Sequence, residues 1–262
     1  MLAEAIILSK MIVKAPVVQQ REIAKSVYQL TLHSPELTQQ AVPGQFIHLR
    51  VTENYQPLLR RPLSISSVNR DAGTLSTIYR IVGQGTMQLS TFKTDAIIDC
   101  MGPLGKGFDL QCHTPLLIGG GMGLAPLVFL AQRLCPRPLE ILMGGRNEQE
   151  LFWQTVYRDI CDKIHITTDD GSLGRRGFTV DILPDLLDKG TFDRIYACGP
   201  RPMLEAIAAI AKQFAIPCQV SLEEHMACGV GACLSCTCAG TDGKRRKVCT
   251  DGPVFWAGEV FG

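Results

Sequence analysis

Eleven cysteines fall into two populations. Cys100, Cys112, Cys135, Cys161, Cys198 and Cys218 are scattered and read singly as small core residues. The other five crowd between Cys228 and Cys249. Cys228, Cys233, Cys236 and Cys249 follow C-x4-C-x2-C-x12-C, the plant-type [2Fe–2S] spacing. The residues among the first three (Gly229, Val230, Gly231, Ala232, Leu234 and Ser235) are mostly small, so backbone N–H groups can approach cluster sulfurs and stabilise the reduced, more negative state. A four-thiolate zinc site is the alternative. Zinc favours two C-x2-C-type pairs, and only Cys233/Cys236 make one, so the spacing favours iron–sulfur chemistry. The fourth ligand is expected on a strand, Lys247-Val248-Cys249-Thr250, beyond a turn at Asp242-Gly243. Cys238 is expected to be a bystander, although it stands where it could replace Cys236. An odd cysteine count argues against a closed disulfide framework.

Further signals concern phosphate. Arg61-Pro62-Leu63-Ser64 opens a strand after a loop; an arginine and a serine three residues on can both reach a diphosphate, one as a bidentate cation and one as a hydroxyl donor. Gly83-Gln84-Gly85-Thr86 precedes an expected short helix, Met87–Phe92, whose free N–H groups favour anions. Gly119-Gly120-Gly121-Met122-Gly123-Leu124-Ala125-Pro126 follows an apolar strand and starts a helix, the setting of a pyrophosphate loop. It is not G-x-G-x-x-G, because Leu124 stands where the last glycine would be, and an ordinary Rossmann dehydrogenase is not supported. Cys198-Gly199-Pro200 ends a later strand, where open α/β sheets bind ligands. Asp169-Asp170-Gly171-Ser172 ends another, and reads equally as an exposed acidic turn.

These groups must be held by elements of different texture. From about residue 12 to 110, alternation such as Tyr28-Gln29-Leu30-Thr31-Leu32-His33 and turns at Pro43-Gly44, Asp71-Ala72-Gly73 and Gly83-Gln84-Gly85 indicate an antiparallel barrel or sandwich. Ile47, Leu49 and Val51 share one face there, and His48 and Arg50 the other. Thereafter short apolar strands (Pro115–Gly119, Leu139–Met143, Ile195–Ala197) alternate with expected helices Ala125–Leu134, Gln149–Ile160, Val180–Asp188 and Met203–Phe214. That alternation indicates a parallel sheet covered on both faces. The remaining Cys- and Gly-rich stretch is too short to fold readily on core burial alone, and a metal is one usual remedy. The expected division is residues 1–111, 112–219 and 220–262.

Composition bounds the rest. The 262 residues are 46% hydrophobic and 19% charged, with a net charge of +1. Disorder as the main state is excluded, and nothing general attracts nucleic acid or anionic membrane. No apolar run reaches bilayer-spanning length. Ile6-Ile7-Leu8 lacks a basic segment before it and a cleavage site after it. It reads as an extension leading into a strand, with the cytoplasm as default location.

Order and motifs together resemble the ferredoxin–NADP⁺ reductase superfamily. Within it, the chain is similar to the electron-transfer subunits of NAD⁺-type dihydroorotate dehydrogenases over nearly its whole length. The discriminating strings are Arg61-Pro62-Leu63-Ser64, Glu223-Glu224-His225-Met226-Ala227-Cys228-Gly229-Val230-Gly231-Ala232-Cys233 and Cys249-Thr250-Asp251-Gly252-Pro253-Val254-Phe255. One departure is Leu63, where many superfamily members place an aromatic ring against the flavin. The resemblance implies an antiparallel flavin-binding β-barrel, a parallel-sheet nucleotide-binding domain and a small C-terminal [2Fe–2S] domain. It implies that Arg61, Pro62, Leu63, Ser64, Ile78, Tyr79, Arg80, Gly85 and Thr86 bind FAD. It places NAD(H), as substrate, between Gly121, Gly123 and Pro126 on one side and Cys198, Gly199 and Pro200 on the other.

The resemblance further implies a heterotetramer with two FMN-containing catalytic subunits that carry out the dihydroorotate chemistry; no residue here looks like a base for that substrate. A two-electron hydride donor cannot reduce a one-electron cluster directly, so FAD is expected between NAD(H) and the cluster. Alternatives are a reductase subunit feeding a hydrogenase, a sulfide-forming enzyme or ferredoxin, and a zinc-binding regulatory module. Arg146, after the Leu139–Gly145 strand, leaves NAD and NADP both open. Lys244-Arg245-Arg246-Lys247 reads either as a solvated hairpin tip or as charge placed to raise the cluster potential or to dock a partner.

Overall fold

The computed structural model describes residues 10–262; the Ile6–Leu8 stretch lies outside them. Six strands close an antiparallel barrel: β1 (Met11–Ala24), β2 (Val27–His33), β3 (Phe46–Arg50), β4 (Arg61–Asn69), β5 (Thr74–Arg80) and β6 (Ile97–Leu104), in the order β1-β2-β5-β4-β3-β6. Alternation explains the closure. Leu30 and Leu32 of β2, Ile47 and Leu49 of β3, Ile65 of β4 and Leu75 and Tyr79 of β5 fill the interior together, as period-two side chains of a small barrel must. Two short helices, α1 (Pro35–Gln40) and α2 (Gln84–Leu89), cross between strands. The second begins three residues earlier than the sequence suggests, because Thr86 Oγ1 accepts the N–H groups of Val82 and Gly83 and closes the first turn.

The nucleotide region carries β7 (Pro115–Gly120), β8 (Glu140–Gly145), β9 (Lys163–Thr168), β10 (Arg175–Arg176), β11 (Arg194–Cys198) and β12 (Cys218–Ser221). Its helices are α3 (Leu124–Leu134), α4 (Trp153–Tyr157), α5 (Thr179–Lys189) and α6 (Arg201–Gln213). Every residue of β7 is buried, as a central strand covered on both faces requires. On α6 the stripe Leu204, Ile207 and Ala211 is buried, core contacts worth roughly 1.5–3 kcal/mol for each large aliphatic side chain. The helix expected over 149–160 is instead a 3-10 turn (Glu148–Leu151) followed by the short α4. Glu150 folds back to accept the Arg146 N–H, which tightens the first turn, and apolar spacing does not separate the two helix types.

The C-terminal segment adds a hairpin, β13 (Thr237–Ala239) with β14 (Arg245–Lys247), then β15 (Val254–Trp256) and α7 (Ala257–Val260). β15 joins the nucleotide sheet as an antiparallel edge, giving the order β10-β9-β8-β7-β11-β12-β15. One apolar cluster therefore runs from Phe46 and Leu104 of the barrel through Leu204 to Cys236, Val248 and Phe255. No helix among the described residues is long and apolar enough to cross a membrane.

Candidate flavin, nucleotide and iron–sulfur sites

The cysteine loop is built from backbone that only small residues tolerate. Gly229 and Gly231 take φ of +69° and +84°, the left-handed region that glycine enters without a Cβ penalty. The turns swing N–H groups inward: those of Val230 and Cys233 each donate to Cys228 Sγ at 3.4 Å, and that of Cys249 to Cys236 Sγ at 3.4 Å. Burial opposes ionisation of the Cys228 thiol, but these N–H donors outweigh it and bring the thiol down to about 6. Cys249 is pushed the other way, to about 12, by burial and by the adjacent Cys236 thiol. Cys249 lies in the turn just past β14 and not on a strand: the N–H of Val248 donates to Cys236 O and that of Lys247 to Asp251 Oδ2, folding the chain over the loop.

Backbone hydrogen bonds tie the four cysteines two by two: the N–H of Cys233 to Cys228 Sγ nearer the surface, and the N–H of Cys249 to Cys236 Sγ in the core. Two pairs of cysteines at this spacing would suit two irons better than one zinc. The donor set fits a [2Fe–2S] centre. Cys238, on β13, is buried in the apolar cluster.

The flavin motifs meet on the outside of the barrel. A Cβ at Gly85 would run into the Arg61 guanidinium, so two motifs 24 residues apart in sequence touch. Arg61 Nη1 donates to Leu59 O at 2.9 Å. Pro62 and Leu63 lie opposite His48 and Ile47 in the β3–β4 register, and Ser64 opposite Phe46. On β5 Arg80 faces outward while Tyr79 is buried in the barrel, its hydroxyl donating to Gln20 Oε1 at 3.3 Å; Tyr79 can meet a bound group only through its backbone. Ile78 packs toward the nucleotide domain. The Thr86 hydroxyl is engaged in its own turn. Arg80 Nε and both ring nitrogens of His48 are buried without partners. A cationic outer face with orphaned buried polar atoms fits an acceptor-rich diphosphate cofactor such as FAD.

Beyond β7, the glycine loop and the β11 end form the two walls of a cleft. Gly123 comes so close to the Cys198 carbonyl that no Cβ fits, and a Cβ there would also stand 2.7 Å from Gly199 N. One arm of the cleft, about 560 Å³, runs past Gly121 and Pro200 to Arg146, Glu150 and Asp169. The other, about 490 Å³, runs past Gly123, Cys198 and Gly199 to Glu223 and His225. Pro126 is buried inside α3 and supports the loop from behind. Burial, with Glu223 nearby, pushes the Cys198 thiol up to about 12. His225 O accepts Ser235 Oγ at 3.0 Å, so the second arm ends at the segment that carries the cysteines.

Residues 14–108 match the oxidoreductase FAD-binding domain, and residues 223–261 the iron-sulfur cluster binding domain of dihydroorotate dehydrogenase B. The chain is 40% identical over 255 residues to the dihydroorotate dehydrogenase B (NAD(+)) electron transfer subunit of Bacillus cereus (strain B4264), covering 93% of this chain and 96% of the relative. The same figures hold for the subunit of Bacillus mycoides (strain KBAB4). The chain belongs to this family of electron-transfer subunits. Among solved structures, an NADH-dependent reduced ferredoxin-NADP oxidoreductase is similar with a TM-score of 0.84 and 31% identity, over 94% of this chain and 89% of that one. A ferredoxin NADP⁺ reductase from Neisseria gonorrhoeae shares the fold at TM-score 0.63 and 15% identity, over 78% and 91% of the two chains.

Beside these candidate sites stand two residues that the sequence motifs miss, His48 and Glu150, and one that they include, Lys247. His48, on the face of β3 opposite to Ile47 and Leu49, is buried where a Cβ on Gly229 would stand 2.7 Å from its Nδ1. Glu150 lies inside a stretch that reads only as a helix. Lys247 brings its Nζ to 3.6 Å from where a Cβ on Gly231 would lie. The basic run gave a signal for Lys247; His48 gave none because its covering loop belongs to the C-terminal segment, and Glu150 gave none because its stretch reads only as a helix.

Proposed function

We propose that this chain is the oxidoreductase subunit that carries electrons between a dihydroorotate-oxidising partner and NAD⁺, in pyrimidine biosynthesis. The reading rests on one observation above others: a family match over nearly the whole chain coincides with four cysteines at the plant-type spacing, tied two by two through backbone N–H bonds to sulfur. When bound, FAD supplies the conversion between hydride exchange and single-electron transfer. The chain's part is placement. Arg61 and the Gly85 turn hold the diphosphate on the barrel. Ser64 and the β4 backbone would line the flavin, with Leu63 standing where relatives of the superfamily often carry an aromatic ring. Gly121, Gly123, Cys198, Gly199 and Pro200 orient the nicotinamide dinucleotide, and Cys228, Cys233, Cys236 and Cys249 hold the [2Fe–2S] centre.

The same reading includes an FMN-containing catalytic subunit, a two-plus-two heterotetramer, a cytoplasmic location and domain boundaries at 111/112 and 219/220. Anaerobic mixing of FAD-loaded protein with NADH tests it: flavin absorbance bleaches, and analysis finds two irons and two sulfides per chain. Persistent oxidised flavin, or a colourless protein holding zinc, would refute it. Similarity to the ferredoxin-NADP oxidoreductase structure supports a second reading, a subunit feeding ferredoxin, a hydrogenase or a sulfide-forming enzyme. Co-purification with a dihydroorotate-oxidising subunit separates the two.

A further inference from the structure

At the mouth of the nucleotide cleft one carboxylate ties together two domains. Glu150 Oε1 accepts from Arg146 Nε at 2.9 Å and from Arg146 Nη2, while Oε2 accepts the Arg146 backbone N–H at 3.0 Å. The same Oε1 takes Arg80 Nη1 of the barrel at 3.3 Å. Glu150 is 14% exposed and Arg146 74% exposed, so the acid is fixed and the arginine is the outer partner. Asp169 lines the same arm and adds a second negative charge near Arg146. Two arginines therefore face two carboxylates. The rim offers no net positive charge to a phosphate, although Arg146 stands just past the strand following the one that carries the glycine loop. There an arginine accommodates a 2′-phosphate and an acid takes a ribose 2′-hydroxyl.

We infer that Glu150 makes this cleft select the dinucleotide without a 2′-phosphate, by holding Arg146 away from that phosphate and presenting a carboxylate to the ribose hydroxyl instead. The inference rests on the proposed reading that the cleft takes a nicotinamide dinucleotide. A phosphate entering here would meet Glu150 and Asp169 as like charges and would have to displace the carboxylate from a two-point grip on Arg146.

The test compares calorimetric binding of AMP and of adenosine 2′,5′-bisphosphate to the FAD-loaded full chain, with flavin reduction by NADH and NADPH as a second readout. Wild type is expected to prefer AMP. Glu150→Gln is expected to shift the ratio at least tenfold toward the bisphosphate, and adding Arg146→Ala is expected to abolish that gain. Arg146→Ala alone, at an exposed side chain, is expected to leave the wild-type ratio unchanged. An unchanged ratio in Glu150→Gln that still binds AMP overturns the inference, as does a gain that survives loss of Arg146. A drop in bisphosphate binding by Arg146→Ala alone overturns it too, because Arg146 would then already read the phosphate. Wild type that binds neither AMP nor NADH removes the reading of the cleft, and the inference with it.

Discussion

His48 of the barrel and Gly229 of the cysteine loop occupy complementary space: a Cβ on Gly229 would stand 2.7 Å from His48 Nδ1 and 3.2 Å from Cε1. The imidazole lies opposite Pro62 of the flavin-motif strand and is fully buried. The barrel thus touches the cysteine loop one residue after its first ligand, beside the strand that carries the flavin motif. Gly229→Ala adds a methyl group into this contact at a φ of +69°, a conformation that costs a non-glycine residue about 1–2 kcal/mol before any clash. The expected result is loss of most bound iron with FAD retained, read by iron analysis and flavin absorbance on one sample.

Burial, then the charges of Arg60 and Arg61, lowers His48 to about 4. The folded state therefore binds fewer protons at this site than the unfolded state, whose histidine titrates near 6.5. Its contribution is fully present above about pH 6.5 and is lost as pH falls toward 4. Between pH 7 and pH 5 the loss is about 2 kcal/mol. Urea denaturation at the two pH values checks this: His48→Gln should lose less stability than wild type over the same interval, and equal losses would contradict it.

Cys249 and Cys238 are both buried, so exposure does not distinguish ligand from bystander; position does. The Cys249 N–H donates to Cys236 Sγ, whereas Cys238 sits in β13 opposite Arg246 and packs in the apolar cluster. Cys249→Ser is expected to abolish the paramagnetic signal of the reduced protein while FAD stays bound. Cys238→Ser should keep that signal and lower stability by roughly 1 kcal/mol, the scale of a buried thiol turned hydroxyl. Signal loss in both variants would make Cys238 a ligand.

Local chemistry made much of this architecture legible. The alternation of β2 and β3, the apolar runs of β7, β8 and β11, and the cysteine spacing each follow from contacts within a few residues. What stayed hidden depends on distant partners. β15 is three residues whose pairing with β12 is decided across the interface, and the last cysteine needs a turn held by Asp251 and not a strand. The burial of His48 stayed hidden because its covering layer, the cysteine loop, lies 181 residues away in sequence. Arg146 read as a possible phosphate ligand because sequence does not show that Glu150, four residues on, already holds it.

The basic run at 244–247 divides into residues with different work. Arg246 is paired with Asp242 at 2.9 Å inside its own hairpin, so its charge is compensated. Arg245 reaches Thr237 Oγ1 at 3.4 Å, away from the loop. Lys247 brings its ammonium to the cysteine loop, 3.6 Å from where a Cβ on Gly231 would lie. A positive charge close to a centre that gains negative charge on reduction stabilises the reduced form. Lys247→Gln is therefore expected to lower the potential of the cluster by on the order of tens of millivolts, with Lys247→Arg close to wild type, in a titration followed by electron paramagnetic resonance. Arg246→Gln is the contrasting variant: it removes one charge from the same run but leaves its partner Asp242 unpaired at the hairpin tip. If charge acted only through the run's total, the two glutamine variants would shift the potential equally. A clear shift confined to position 247 makes proximity to the loop the cause.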